Sequence, residues 1–221
     1  MSTVVADRLS EVRERITDAA KRAGRDPSDV LLVAVSKNVD PARIADAVNA
    51  GQRVFGENRA QELLAHANAS DDALEWHFVG RLQRNKVRSL APIVAVWESV
   101  DRVALVEELA KRAPGAHVLV EVNVGDEPQK GGCAPAETPA LVAAARDAGL
   151  RVEGLMTVPP AGTEVRPFFA QLRTLAERLE LGQLSMGMSS DFEAAIAEGA
   201  TVVRVGTAIF GPRPTSPNAR R

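Results

Sequence analysis

Lys37 closes the apolar run Leu31-Leu32-Val33-Ala34-Val35-Ser36-Lys37 and is one of five lysines among 27 Lys+Arg. A lysine at the end of a buried strand can shed its proton through desolvation, and the neutral amine is the form that attacks an aldehyde. The same residue also reads as an ordinary lysine that meets solvent where a strand stops. Two later segments bear on the choice. Ser185-Met186-Gly187-Met188-Ser189 and Arg204-Val205-Gly206-Thr207-Ala208-Ile209-Phe210-Gly211 combine glycine, which lets backbone amides approach an anion, with hydroxyl donors. That is the composition of a phosphate cradle. Ser190 and Glu193 also fit a capping box, in which one of the serines starts a helix and does nothing more.

For such distant segments to meet, the fold must bring strand ends together. Apolar, β-rich runs fall at 30–37, 53–55, 75–79, 93–98, 117–124, 152–156, 183–185 and 202–205. Amphipathic segments at 41–50, 60–67, 103–111, 135–148, 164–181 and 190–198 separate them, and 3–23 forms an extra helix at the front. Strict alternation demands a parallel sheet, and eight units favour a single-domain (β/α)8 barrel of the α/β class. A doubly wound sheet is the alternative, but Lys37 is followed by Asn38-Val39-Asp40-Pro41 and no glycine-rich dinucleotide turn. The barrel is expected over 1–211, followed by a disordered, proline-rich tail at 212–221. In a barrel the C-terminal strand ends share one rim. Lys37, Asn58, Ser189, Arg204, Gly206 and Thr207 all fall there.

Composition narrows the function. The length of 221 residues suits one core, and a net charge of −2 gives no pull toward nucleic acid or anionic membrane. The expected partners are small molecules. A single cysteine, Cys133, excludes a disulfide framework and a multi-cysteine metal cluster, so the expected compartment is the cytoplasm and no metal is expected. The first residues lack the features of a signal peptide, and no apolar run approaches the roughly 20 residues of a membrane span.

A strand-end lysine, a phosphate cradle and a neighbouring arginine together point to pyridoxal 5′-phosphate held as a Schiff base. The chain also resembles the pyridoxal-phosphate homeostasis protein family, single-domain barrels similar to the N-terminal domain of alanine racemase. The resemblance runs to about Gly211 and rests on Val35-Ser36-Lys37, Phe55-Gly56-Glu57-Asn58, Trp76-His77-Phe78-Val79-Gly80 with Leu82-Gln83-Arg84-Asn85-Lys86, Leu184 to Ser189, and Val203 to Gly211. It implies that Lys37 forms the Schiff base, that Arg204 faces the pyridine nitrogen, that Ser189, Gly206 and Thr207 hold the phosphate, and that Asn58 lies beside the ring. Met186 and Met188 read as packing. His77, flanked by Trp76 and Phe78, reads as structural and could face either the barrel interior or the helices. Arg81 and the Gln129-Lys130-Gly131-Gly132-Cys133 loop match the family only loosely.

What the cofactor is for turns on an absence: the chain has no tyrosine. Alanine racemase pairs a lysine on one face of the cofactor with a tyrosine on the other, so a two-base reaction loses a base here. An arginine at the pyridine nitrogen keeps its own proton and makes the ring a weaker electron sink. The expected function is intracellular homeostasis of pyridoxal phosphate, a monomeric carrier that buffers the aldehyde and passes it to pyridoxal-phosphate-dependent apoenzymes, with no catalytic residue. The competing readings are a one-base amino-acid racemase or lyase using Lys37, and a barrel that binds another phosphate.

Overall fold

The computed structural model describes residues 3–70 and 74–212. Eight strands, β1 (Leu31–Val35), β2 (Val54–Glu57), β3 (Glu75–Phe78), β4 (Val94–Val100), β5 (His117–Glu121), β6 (Arg151–Met156), β7 (Gln183–Ser185) and β8 (Val202–Val205), pair in sequence order. All pairings are parallel and β8 returns to β1, so the sheet closes as expected. The helices are α1 (Val4–Arg22), α2 (Pro41–Asn49), α3 (Ala60–Asn68), α4 (Arg84–Leu90), α5 (Val103–Arg112), α6 (Thr138–Asp147), α7 (Arg166–Arg178), α8 (Phe192–Ala197) and α9 (Thr207–Phe210). The expected tail lies outside the described residues apart from Pro212.

Pleating sorts the strand residues into two environments. Ala34, Phe55, Trp76, Phe78, Trp97, Val118, Val120, Leu155, Val203 and Val205 pack outward in one apolar cluster with the helices. Each fully buried Leu or Phe there contributes roughly 1.5–3 kcal/mol relative to exposure. Alternate positions turn inward, where Val33, Leu119, Met156 and Val202 are buried apart from that cluster and share the interior with His77, Glu98, Ser185 and Arg204. A stripe of Val5, Leu9, Val12, Ile16 and Ala20 seats α1 against the barrel wall.

The elements differ from expectation mainly at their ends. β1 stops at Val35, which places Lys37 in the following turn, where Asn38 takes φ 55. Asn tolerates the left-handed region and reverses the chain toward α2, which Asp40 caps through Ala42 N at 2.8 Å. β5 stops at Glu121 because Asn123 turns its side chain to the Glu127 backbone. Helix α4 was not anticipated: its sequence RNKVRSL buries only Val87 and Leu90, too few for a periodic signal.

Candidate functional site

The turn after β1 carries Lys37, which is half-buried, and it is fixed on both sides. The Ser36 hydroxyl donates to Glu57 Oε1 at 2.7 Å, and the Asn38 amide donates to Glu62 Oε2 at 2.7 Å. Glu57 has no exposed surface and also accepts from the Asn58 amide at 3.2 Å, with His66 Nδ1 at 3.0 Å. One buried carboxylate thus sets two segments, those bearing Lys37 and Asn58.

Gly80, after β3, backs onto Asn58: a Cβ there would lie 2.2 Å from the Asn58 carbonyl oxygen. Asn58 Oδ1 is buried without a hydrogen-bond partner, a polar atom that a bound ligand could satisfy.

The turns after β7 and β8 meet over the rim. The Ser189 hydroxyl accepts from the Gly206 and Ala208 amides, both at 3.2 Å, so three polar groups converge where an anion would sit. Gly187 has φ 94 and a Cβ there would lie 2.6 Å from the Ala195 Cβ. A Cβ on Gly206 would come within 3.0 Å of the Val35 carbonyl oxygen. The Ser190–Glu193 capping box does not form: α8 begins at Phe192, and Glu193 instead pairs with Arg15 at 2.6 Å. Both serines therefore precede the helix, and Asp191 takes the capping position and accepts from the Met188 amide at 2.6 Å.

A cavity of about 380 Å³ is lined by Lys37, Asn58, Ser189, Arg204, Gly206 and Thr207 together. The six residues expected to hold the cofactor all line this one space. Val35, Val79, Val158 and Met188 supply its apolar walls. Met186 is fully buried in the packed core. A second cavity of about 470 Å³ adjoins Lys37, Gly206 and Thr207 and extends toward Arg43 and Phe210.

Arg204 rises from the barrel interior into the cavity. Its Nη2 donates to the Thr157 carbonyl at 2.8 Å and its Nη1 to the Ser185 hydroxyl at 2.6 Å, with Glu98 Oε2 at 3.8 Å. Burial pulls the guanidinium down from its ordinary value, opposed by the charges of Glu98, Glu121 and Asp191. Glu121 is pushed up to about 7 by burial and by Asp101, against the pull of Arg204 and Arg81. His77 faces inward rather than toward the helices. Glu98 is also buried, and both it and Glu57 were missed from the sequence. For Glu98 the signal was an ionisable residue closing the apolar run Val94-Ala95-Val96-Trp97, and Glu57 lies inside the segment Phe55-Gly56-Glu57-Asn58.

Backbone amides and two hydroxyls at one end, apolar walls, an arginine below and a lysine beside it fit a flat ligand bearing a phosphate and a carbonyl. Among the described residues no group of three or more His, Cys, Asp or Glu could hold a metal ion, and no helix is long and apolar enough to cross a membrane. Cys133 is buried and its thiol pushed up by that burial, which leaves it unreactive.

Residues 8–214 match the family model described as alanine racemase, N-terminal domain. The chain is 46% identical to the pyridoxal phosphate homeostasis protein of Aquifex aeolicus, over 94% of this chain and 97% of that one. Identity to the protein of the same name from Pseudomonas aeruginosa is also 46%, over 96% and 97% of the two chains. Among solved structures, PipY of Synechococcus elongatus with PLP bound superposes with a TM-score of 0.81 at 38% identity, covering 94% of this chain and 100% of that one.

Proposed function

This chain belongs to the pyridoxal phosphate homeostasis protein family, and on that premise we propose that it binds pyridoxal 5′-phosphate covalently through Lys37 and serves to buffer and deliver it. The observation that carries this reading is the convergence of Lys37, Asn58, Ser189, Arg204, Gly206 and Thr207 on one cavity. Bound pyridoxal phosphate supplies an electrophilic aldehyde. Lys37 is the residue that would hold it covalently, its Nζ condensing with that aldehyde with loss of one water. Ser189, Thr207 and the Gly206 amide would hold the phosphate, Asn58 would lie beside the ring, and Arg204 would meet the ring nitrogen. The bond is reversible by water, which suits storage and release to apoenzymes that depend on the same cofactor. Support for a carrier over a catalyst comes from the missing tyrosine and from an arginine that keeps its proton.

The test is absorption of the purified protein loaded with pyridoxal phosphate, before and after borohydride. Borohydride delivers hydride to the C=N carbon and leaves a secondary amine, so visible absorption should vanish and the cofactor's mass should stay on the peptide containing Lys37. Modification of Lys86 or Lys130 instead would refute the assignment. Absence of visible absorption would favour a different phosphate ligand.

A further inference from the structure

Resting on that reading, we propose that His77 and Glu98 are positioning residues that hold the Arg204 guanidinium against the ring nitrogen of the bound cofactor. The hydrogen bonds are continuous from one mouth of the barrel to the other. Glu75 Oε1, at the start of β3, lies 3.0 Å from His77 Nε2, and His77 Nδ1 lies 2.6 Å from Glu98 Oε1. The Ser185 hydroxyl donates to Glu98 Oε2 at 2.5 Å and accepts from Arg204 Nη1 at 2.6 Å. Arg204 then lines the cavity.

The protonation of this chain follows from its partners. A carboxylate only accepts, so with carboxylates at both ring nitrogens His77 must donate twice and carries a positive charge. Glu98 is consequently shared between two cations, His77 on one oxygen and Arg204 with Ser185 on the other. Its charge is divided. The groups acting on the chain from the surrounding elements are Glu75 and Glu98 on His77, Glu121 and Asp191 with Glu98 on Arg204, and His117 on Glu75. Burial lowers the affinity of His77 for its second proton, yet the two carboxylates raise it to about 9 overall.

A purely structural polar core would tolerate rotation of the guanidinium, but here both Nη atoms are committed, one to Ser185 and one to the Thr157 carbonyl. Held in this way, Arg204 lines the cavity. Loss of the Glu98 charge should leave Arg204 less anchored and less neutralised, and the stronger positive field should make the Lys37 nitrogen of the loaded protein more acidic.

Two measurements on Glu98→Gln test this. In the unloaded protein, nitrogen-15 NMR should show His77 doubly protonated to about pH 9 in the wild type and titrating in the ordinary histidine range in the variant. The separate Nη signals of Arg204 should merge in the variant as its anchor is lost. In the loaded protein, the pH titration of the visible absorption should move to lower pH, by less than an uncompensated charge would move it because His77 gives up its proton when Glu98 is lost. His77→Gln, which removes only the cation and leaves the whole Glu98 charge to Arg204, should move it to higher pH. Unchanged Arg204 signals, or an unchanged absorption titration in a folded variant, would overturn the proposal. If wild-type protein takes up no pyridoxal phosphate, the functional reading fails, while the Arg204 signals still decide whether His77 and Glu98 hold it. Should Glu98→Gln not fold, Ser185→Ala removes the hydroxyl link with every charge retained and is expected to show the same merging of the Arg204 signals.

Discussion

The Ser36 hydroxyl donates a 2.7 Å hydrogen bond to the Glu57 carboxylate, joining the residue before Lys37 to the residue before Asn58. Two neighbouring rim turns thus share one anchor. His66 Nδ1 at 3.0 Å and the Asn58 amide at 3.2 Å complete the shell of a carboxylate with no exposed surface. Glu57→Gln keeps the shape but puts a donor where only acceptance fits. It should destabilise the fold by about 1–3 kcal/mol and speed loss of pyridoxal phosphate, because both turns loosen together. Denaturant unfolding alongside cofactor dissociation checks this, and unchanged dissociation would mean that the turns are held some other way.

Lys37→Ala should abolish visible absorption of the loaded protein and change stability by no more than on the order of 1 kcal/mol, since Lys37 lies beyond β1 and outside the packed core. Far-ultraviolet circular dichroism establishes that the barrel persists. Persistence of the absorption would transfer the covalent role to another amine.

Ser189→Ala and Thr207→Ala should weaken binding of pyridoxal phosphate and leave pyridoxal, without the phosphate, nearly unaffected. Hydrogen bonds to a charged acceptor contribute roughly 1.5–3 kcal/mol, which is about tenfold to a hundredfold in affinity. Ser189→Ala should be the larger, because its hydroxyl also spaces the Gly206 and Ala208 amides. Equal losses for both ligands would place the phosphate elsewhere.

The barrel was legible because each strand carries a short apolar run, and alternation with helices leaves a closed parallel sheet as the economical solution. The rim residues were legible because Lys37, Ser189, Gly206 and Thr207 interrupt those runs just past their ends. The supporting shell was not. Glu57, His77 and Glu98 find their partners across 9 and 21 residues of sequence, and pairing at such range depends on how neighbouring elements dock, which local pattern does not encode. Ser190 and Glu193 failed for the opposite reason. Their spacing satisfied a local rule, and Arg15, 178 residues from Glu193, claimed the carboxylate.

His77 makes stability depend on pH. Burial alone would depress it, but Glu75 and Glu98 raise its folded value to about 9 from an ordinary 6.5. A group that binds its proton more tightly when folded contributes fully below the unfolded value, and that contribution is lost as pH rises through the folded one. Stability should therefore decline between about pH 6.5 and pH 9. His77→Gln should flatten this decline, measured by denaturant unfolding across that window. An identical slope in the two proteins would show that His77 is not the group responsible.

Incubation of the loaded protein with L-alanine and other L-amino acids should yield no D-enantiomer at a catalytic rate. A racemase removes a proton from one face and returns it to the other, which needs an acid or base on each side. Lys37 supplies one. The chain has no tyrosine to supply the second, and His77, 2% exposed with both nitrogens held by Glu75 and Glu98, does not line the cavity. Glu121, pushed up to about 7, has a suitable proton affinity, but it does not line the cavity either. Chiral chromatography of the products is the direct measurement. Turnover of about one per second or faster would overthrow the carrier reading, and its loss in Glu121→Gln would identify that carboxyl group as the second base.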